Sequence, residues 1–419
     1  MKRPKIAIVL IALTALVALQ APAADWPQFR GANRDGISGE TGLLASWPPG
    51  GPRLVWKISG LGPGYSQPSV VGGRLYTQGQ RGDKQYVFAF DAATGKKLWE
   101  APAGPDFHHK QALDGPRGTP TIDSGRVFTL SAEGTLQSTD AATGRVQWSQ
   151  NLIKQYGGED PDWGFSESPL VEGNLLIAMP GGPGAAVIAL DKTTGNLKWK
   201  TGSEAGSGQQ KSKIGSEAAG CASAIAVDSG GSRLLLALTR PELLAMRPET
   251  GEVLWRYGKI FDRFGAIVTP VFNDNRVFVA GSFDSDEALL RLDGPKMTEV
   301  YSRHEGTQYF YYAVPVLVRD TLYSFANAFL TAKDFATGKI LWKDRSVGKG
   351  SLSYADGRLY ILGEDGALAL IDPSPQAYRE VSRFELGTSA VARTPPVIAD
   401  GKLFVRVQDE LLCYDIRKK

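Results

Sequence analysis

Apolar residues along this chain come in short runs, each broken after a few positions by Gly, Asp, Asn or Thr. The stretch from 119 to 148 shows the grammar. Residues 119–122 form a first run, Asp123-Ser124-Gly125-Arg126 a turn, and 127–130 a second run. Gly134 marks another turn, 136–139 is a third run, and 146–148 a fourth after Thr143-Gly144. Runs of this length between such turns predict four strands of one antiparallel sheet.

The unit recurs. DAATGKKLW at 91–99, DAATGRVQW at 140–148, DKTTGNLKW at 191–199, RPETGEVLW at 247–255 and DFATGKILW at 334–342 each close one copy. Two further copies are degenerate: at 268–301 the Thr-Gly turn is replaced by Asp293-Gly294-Pro295, and at 352–384 by Asp372-Pro373-Ser374-Pro375. The last copy starts at Pro396 and stops at Asp415, without its fourth strand. A matching orphan, Leu54-Val55-Trp56-Lys57, stands at the other end of the repeats. The prediction is therefore an all-β, eight-bladed β-propeller of four-stranded antiparallel blades, closed by the N-terminal strand 54–59, which completes the last blade. Residues 53–416 would be this single domain, with residues 25–52 an extension running along the ring surface.

The recurring residues have mechanical reasons. Asp at the head of the turn accepts backbone N–H bonds, and Gly supplies the positive φ that closes it. Trp on the outermost strand offers a flat surface to a neighbouring sheet. A lone four-stranded sheet cannot bury both faces, so the copies must stack, and repeats of this length close radially. The repeated Thr-Gly-x-x-x-Trp phrase resembles the PQQ-like (quinoprotein-type) propeller repeat, found in quinoprotein alcohol dehydrogenases and in BamB-like outer-membrane assembly propellers. WPQFRG at 26–31, with PGGPGAAVIALDKTTGNLKW at 180–199, resembles secreted PQQ-binding-like repeat proteins. The resemblance implies an architecture and an export route. The closer resemblance, to the secreted proteins, implies no established reaction, since the signature residues hold blades together.

The first residues bear on the compartment. Lys2, Arg3 and Lys5 precede an apolar run from Ile6 to Leu19 and then Ala21-Pro22-Ala23. This is the pattern of a cleaved secretory signal over 1–24, too short for a comfortable membrane span. No cysteine follows it until Cys221, so no lipid-bearing N-terminal cysteine is expected, and the chain is placed in the periplasm or outside the cell. The signal carries three of the 47 basic residues and none of the 44 acidic ones, so the mature chain is neutral. That balance argues against nucleic acid as a partner. Cys221 and Cys413 belong to distant blades and read as two buried, unpaired thiols, and the chain is expected to be a monomer.

Chemistry in a propeller gathers where the loops entering the innermost strands ring the channel mouth. Here those loops hold Phe107, His108, His109, Arg117, Tyr156, Trp163, Phe165, Glu167, Lys213 and Glu217, then His304, Tyr309, Tyr311, Lys349 and Arg393. The ligand-binding candidates are Arg117, Trp163, Glu167, Glu217, Lys349 and Arg393. They form either a polar pocket for an anionic or hydroxylated ligand, or a ring of charges pairing across a wet channel. His108, His109 and His304 show no metal-ligand spacing, so no metal site is expected. The resemblance implies a second function class, a PQQ- and Ca²⁺-dependent alcohol or sugar dehydrogenase. The adjacent cysteines of several such enzymes are missing, however, and no catalytic residue carries over. The leading expectation is an exported, non-catalytic propeller without a cofactor, binding a protein partner or small ligand at the mouth. An outer-membrane assembly factor of BamB-like type is the narrower version.

Overall fold

The computed structural model describes residues 24–109, 114–158, 161, 163–203, 220–260, 266–281, 286–304, 310 and 312–418. The predicted signal segment lies outside the described residues. Eight four-stranded antiparallel sheets follow one another, with strands in sequence order in seven of them. We number the blades 1 (69–105), 2 (121–151), 3 (170–201), 4 (225–257), 5 (271–304), 6 (316–344), 7 (350–385) and 8 (397–415 with 53–58). In blade 8 the strand Arg53–Ile58 pairs antiparallel with Glu410–Asp415, placing Trp56 opposite Cys413 and Arg53 opposite Asp415. The two ends of the repeat region thus close one ring, as the orphan strand predicted.

Core formation follows from the stacking. The inner three strands of a blade have both faces covered by neighbours, so Leu359, Tyr360, Ile361 and Leu362 are fully buried in succession. Each apolar cluster spans two blades; one joins Tyr360 and Leu368 of blade 7 to Ile398 and Leu403 of blade 8. Both cysteines are free thiols. Cys413 is buried, and burial pushes it up to about 12, while Cys221 is only half-buried rather than buried.

The repeat motif is a latch between blades. In every blade the outer strand carries a β-bulge against its partner, as between Ala89 and Phe90 or Ser138 and Thr139. A bulge sharpens local twist and re-aims the side chain beside it. In six of the blades that side chain is the motif Trp, and in five of them its indole N–H donates to a carbonyl of the next blade's turn. Trp56 reaches Ala92 O (3.2 Å), Trp99 Ala141 O (3.1 Å), Trp148 Lys192 O (3.2 Å), Trp199 Pro248 O (2.8 Å) and Trp342 Ser374 O (2.8 Å). The turn's Gly lies flat against the same ring. A Cβ on Gly144 (φ +76°) would stand 2.7 Å from Trp99. The head Asp behaves as predicted: Asp140 Oδ1 accepts from Thr143 N (2.8 Å) and Oγ1 (2.7 Å). Blade 7, which also lacks the Thr-Gly turn, still accepts from Trp342 through Ser374 O, whereas at blade 5 the latch lapses. Trp255 faces blade 5, which lacks the Thr-Gly turn, and its buried Nε1 has no partner among the described residues.

Residues 24–52 correct one expectation. Instead of running along the ring surface, residues 26–38 fill the central channel. Trp26 and Val70 of blade 1 exchange both backbone bonds (2.7 and 2.8 Å), and Ile122 N of blade 2 donates to Pro27 O. Ser38 N donates to Tyr354 O of blade 7, Tyr354 N donates to Gly36 O, and Ser38 Oγ donates to Ile398 O of blade 8. Two buried arginines then satisfy the carbonyls at the heads of the innermost strands. Arg30 donates to Val314 O (3.1 Å) and Pro315 O (2.6 Å). Arg34 donates to Ser168 O (3.0 Å), Ala224 O (3.0 Å) and Pro169 O (2.5 Å). Burial lowers Arg30 to about 10 and Arg34 to about 9, so both stay charged at neutral pH. We call this segment the plug.

Candidate functional site at the channel mouth

The plug stops at the level of the strand heads, leaving a shallow mouth above it. Two kinds of loop rim that mouth: those entering the innermost strands, and the turns joining the second strand to the third. Arg117 enters from the blade 2 loop and Arg393 from the blade 8 loop, and they meet over Tyr65 from the loop before blade 1. Their guanidinium carbons lie 5.8 and 5.7 Å from its ring centroid. Arg393 also lies 5.4 Å from the Tyr312 ring, and Arg117 lies 5.0 Å from Phe107. Such placement over aromatic faces is attractive for a partly desolvated guanidinium.

Electrostatics divide the two arginines. Burial lowers the pKa of Arg117, whose Nη1 donates to Gly115 O (2.9 Å). Burial acts on Arg393 in the same direction, but Tyr65 and Glu364 outweigh it and hold the pKa above the usual value. Arg393 Nε donates to Glu364 Oε1 at 2.7 Å. The hydroxyls of Tyr65 and Tyr312 are buried and, among the described residues, complete no hydrogen bond, although Gln408 and Glu364 lie close enough to act on their pKa values. Desolvation raises the pKa of both phenols, so both remain O–H donors.

The other predicted residues are distributed around this centre. Trp163 stacks on His109 (4.5 Å between centroids, 28° between planes), and His109 on Phe107 (6.4 Å), so an aromatic wall continues from Arg117. Lys349 is exposed; its carbonyl accepts the amide of Glu364. Glu167 is 1% exposed and faces away from the mouth, with Oε1 accepting from Met179 N (2.5 Å) and Arg34 beneath it. Desolvation raises its pKa to about 7. The carboxyl thus ties the loop before blade 3 to the Met179 amide of the same blade. Glu217 lies outside the described residues, as do Lys213, Tyr309 and Tyr311. His108 is exposed between Asp114 (2.7 Å) and Asp106 (3.1 Å), and these carboxylates, Asp114 foremost, raise its pKa. Among the described residues no three His, Cys, Asp or Glu side chains converge as metal ligands.

Three members of the site were missed from sequence: Tyr65, Tyr312 and Glu364. Tyr65 follows Trp56, the kind of signal that marked the loops entering blades 2, 3, 4, 5 and 7, but Trp56 belongs to the closing strand at the start of the chain. Tyr312 sits beside Tyr309 and Tyr311, with nothing local to single it out. Glu364 lies on a turn between second and third strands, a class that also reaches this face.

The structure is thus a closed eight-bladed propeller with a plugged channel and an aromatic, donor-rich mouth. Residues 37–106 and 83–282 match the family model described as "Outer membrane protein assembly factor BamB", and the chain belongs to this family of PQQ-like propeller repeats. It is 27% identical over 380 residues to the outer membrane protein assembly factor BamB of Burkholderia pseudomallei, covering 85% of each chain. It is also 32% identical over 145 residues to the dehydrogenase subunit of a quinone alcohol dehydrogenase of Acetobacter aceti, which is 32% of this chain and 19% of that one. Among solved structures, BamB from Moraxella catarrhalis aligns over 87% of this chain and 98% of its own (TM-score 0.62, 14% identity). Quinohemoprotein alcohol dehydrogenase from Comamonas testosteroni aligns over 94% and 81% (TM-score 0.71, 15% identity). At such identities the structural likeness speaks for the fold alone.

Proposed function

We propose that the chain is an exported, non-catalytic propeller that acts as a scaffold, holding a protein partner at the channel mouth. One observation carries this reading: the donors at the mouth point to an acceptor. Among the described residues Arg393 is anchored through Nε to Glu364, and the two tyrosine hydroxyls against it are buried without a completed hydrogen bond. A buried donor left unmade costs about 1–3 kcal/mol, which an incoming carboxylate or backbone carbonyl would recover. The fitting partner element is an acidic side chain or chain terminus flanked by an apolar residue for the Phe107–His109–Trp163 wall. A calcium-held quinone fits this donor set poorly. Ca²⁺ takes about six to eight oxygen ligands, whereas Glu364 is engaged by Arg393 and Glu167 by the Met179 amide.

Export has support at the plug. Ala24 N donates to the buried Glu40 Oε1 (2.8 Å), and Glu40 also accepts the amides of Asp400 and Gly401. Cleavage after Ala21-Pro22-Ala23 would turn that amide into an ammonium facing a carboxylate. Among the described residues no helix is long and apolar enough to cross a membrane.

The test is calorimetric titration of the mature protein with an acidic–aromatic peptide bearing a free C-terminus, and separately with PQQ with and without Ca²⁺. Peptide binding weakened at least tenfold by Arg393→Ala supports the scaffold reading. Saturable, Ca²⁺-dependent PQQ binding would replace it with the dehydrogenase reading, and peptide binding unchanged by Arg393→Ala would remove the mouth as the site.

A further inference from the structure

The plug touches the innermost strands unevenly, and the omission forms a second site on the face opposite the mouth. In blade 1 the register sets Ser69 opposite Tyr76 and Val71 opposite Arg74 across a two-residue turn. In such a ladder the residue between two bonded pairs turns its N–H and C=O outward, which for an innermost strand means toward the channel. Val70 is that residue, and Trp26 takes both its groups. Ile122 and Tyr354 hold the same place in blades 2 and 7 and are likewise bonded by the plug.

Blades 3, 4 and 5 repeat the geometry without the partner. Val171 lies between the pairs Leu170–Ile177 and Glu172–Leu175, and Phe272 between Val271–Phe278 and Asn273–Arg276. In the longer blade 4 strand, Ala226 and Asp228 alternate with Ile225, Val227 and Ser229. No described backbone group bonds these residues on the channel side. Between them and the plug runs a groove of about 440 Å³, bounded on the plug side by Gln28, Ala32, Asn33 and Asp35. Its rim is acidic: Glu172 and Asp228 share the single outward guanidinium of Arg233 (2.9 Å to each), and Asp35 adds a third carboxylate. Arg34, which also borders the groove, is spent on the carbonyls of blades 3 and 4.

We propose that this groove binds an extended peptide segment with alternating apolar and basic residues, which pairs its main chain with the free edge of blade 3, 4 or 5. The occupant repeats what the plug does on blades 1, 2 and 7. Unpaired strand edges are templates for strand addition, in which main-chain bonds supply affinity and alternate side chains supply selectivity. Because successive side chains of an added strand point to opposite sides, one row meets Val171, Ile225 and Val271 and the other meets the carboxylates. The site is independent of the mouth reading.

The probe is a fluorescein-labelled, doubly capped hexapeptide of alternating valine and lysine, titrated into the mature protein and followed by anisotropy. Saturable binding is expected, weakened at least tenfold by N-methylation of alternate amides, by replacement of lysine with glutamate, and by Ala32→Trp. Asp228→Lys, at an exposed position, gives the same loss should the bulky variant fail to fold. Arg393→Ala leaves binding unchanged. Absence of saturable binding overturns the proposal, as does binding indifferent to N-methylation and to both groove variants. Binding abolished by Arg393→Ala would assign the peptide to the mouth instead.

Discussion

The rim of the ring and its axis are built on opposite principles. At the rim one contact is repeated: a Trp from one blade lies on the Gly turn of the next and donates to its backbone. At the axis the blades share hydroxyl contacts, such as Thr119 N to Ser168 Oγ and Ser168 N to Ser223 Oγ, but the plug's own side-chain contacts differ from blade to blade. A single segment, Trp26 to Ser38, meets different innermost strands with different groups: a strand bridge, two arginines and a serine hydroxyl. The rim confers closure and stability many times over, so one weak joint, such as Trp255 against blade 5, is tolerated. The axis carries the asymmetry, and asymmetry is what a binding site needs.

Five variants sharpen that contrast. The largest effect is expected from deleting residues 53–58, which leaves blade 8 without its outer strand and Trp56. The whole domain should lose stability, with the calorimetric Tm falling by more than about 10 °C; an unchanged transition would show that the ring does not depend on this closure. Next comes the axis. Arg34→Met leaves three carbonyls without their donor and should cost about 3–5 kcal/mol in urea unfolding, more than any one rim latch. A smaller effect is expected at the rim: Gly144→Val, against Trp99 and at positive φ, should cost about 2–3 kcal/mol. Trp255→Phe, which breaks no hydrogen bond, should cost under about 1 kcal/mol. Equal costs for the two would mean that the indole bond does not make the latch.

The smallest effect depends on pH. Burial raises the pKa of Glu167 from its ordinary 4.5 to about 7, so the folded state holds its proton more tightly than the unfolded state does. Stability from this group is therefore complete below pH 4.5 and is lost as pH rises to about 7. Glu167→Gln keeps the acceptor for Met179 N and should flatten that part of the stability profile, with little change in affinity at the mouth. A strong loss of mouth binding in this variant would return Glu167 to the ligand site.

How much could be read in advance differs residue by residue. Arg117 and Arg393 were reachable because each stands just before an innermost strand, a position that the repeat defines. Glu167 obeys the same positional rule yet turns inward, since Arg34 and the Met179 amide compete for it. Neither competitor belongs to its own loop. Tyr65 and Glu364 escaped because their loops carry no motif, although both lie within reach of Arg393.

The sequence by itself determined the blade count, the four strands per blade, the closing strand and the latch. These are periodic, and a period is visible along the chain as the same apolar run, turn and Trp returning at regular spacing. Only the tertiary structure decided where 26–38 goes, which carbonyls Arg30 and Arg34 satisfy, which tyrosines face Arg393, and which strand edges remain open beside the plug. Those contacts join residues hundreds of positions apart and occur once each. They depend on how eight unequal blades converge on one axis, and a local pattern carries no trace of that convergence.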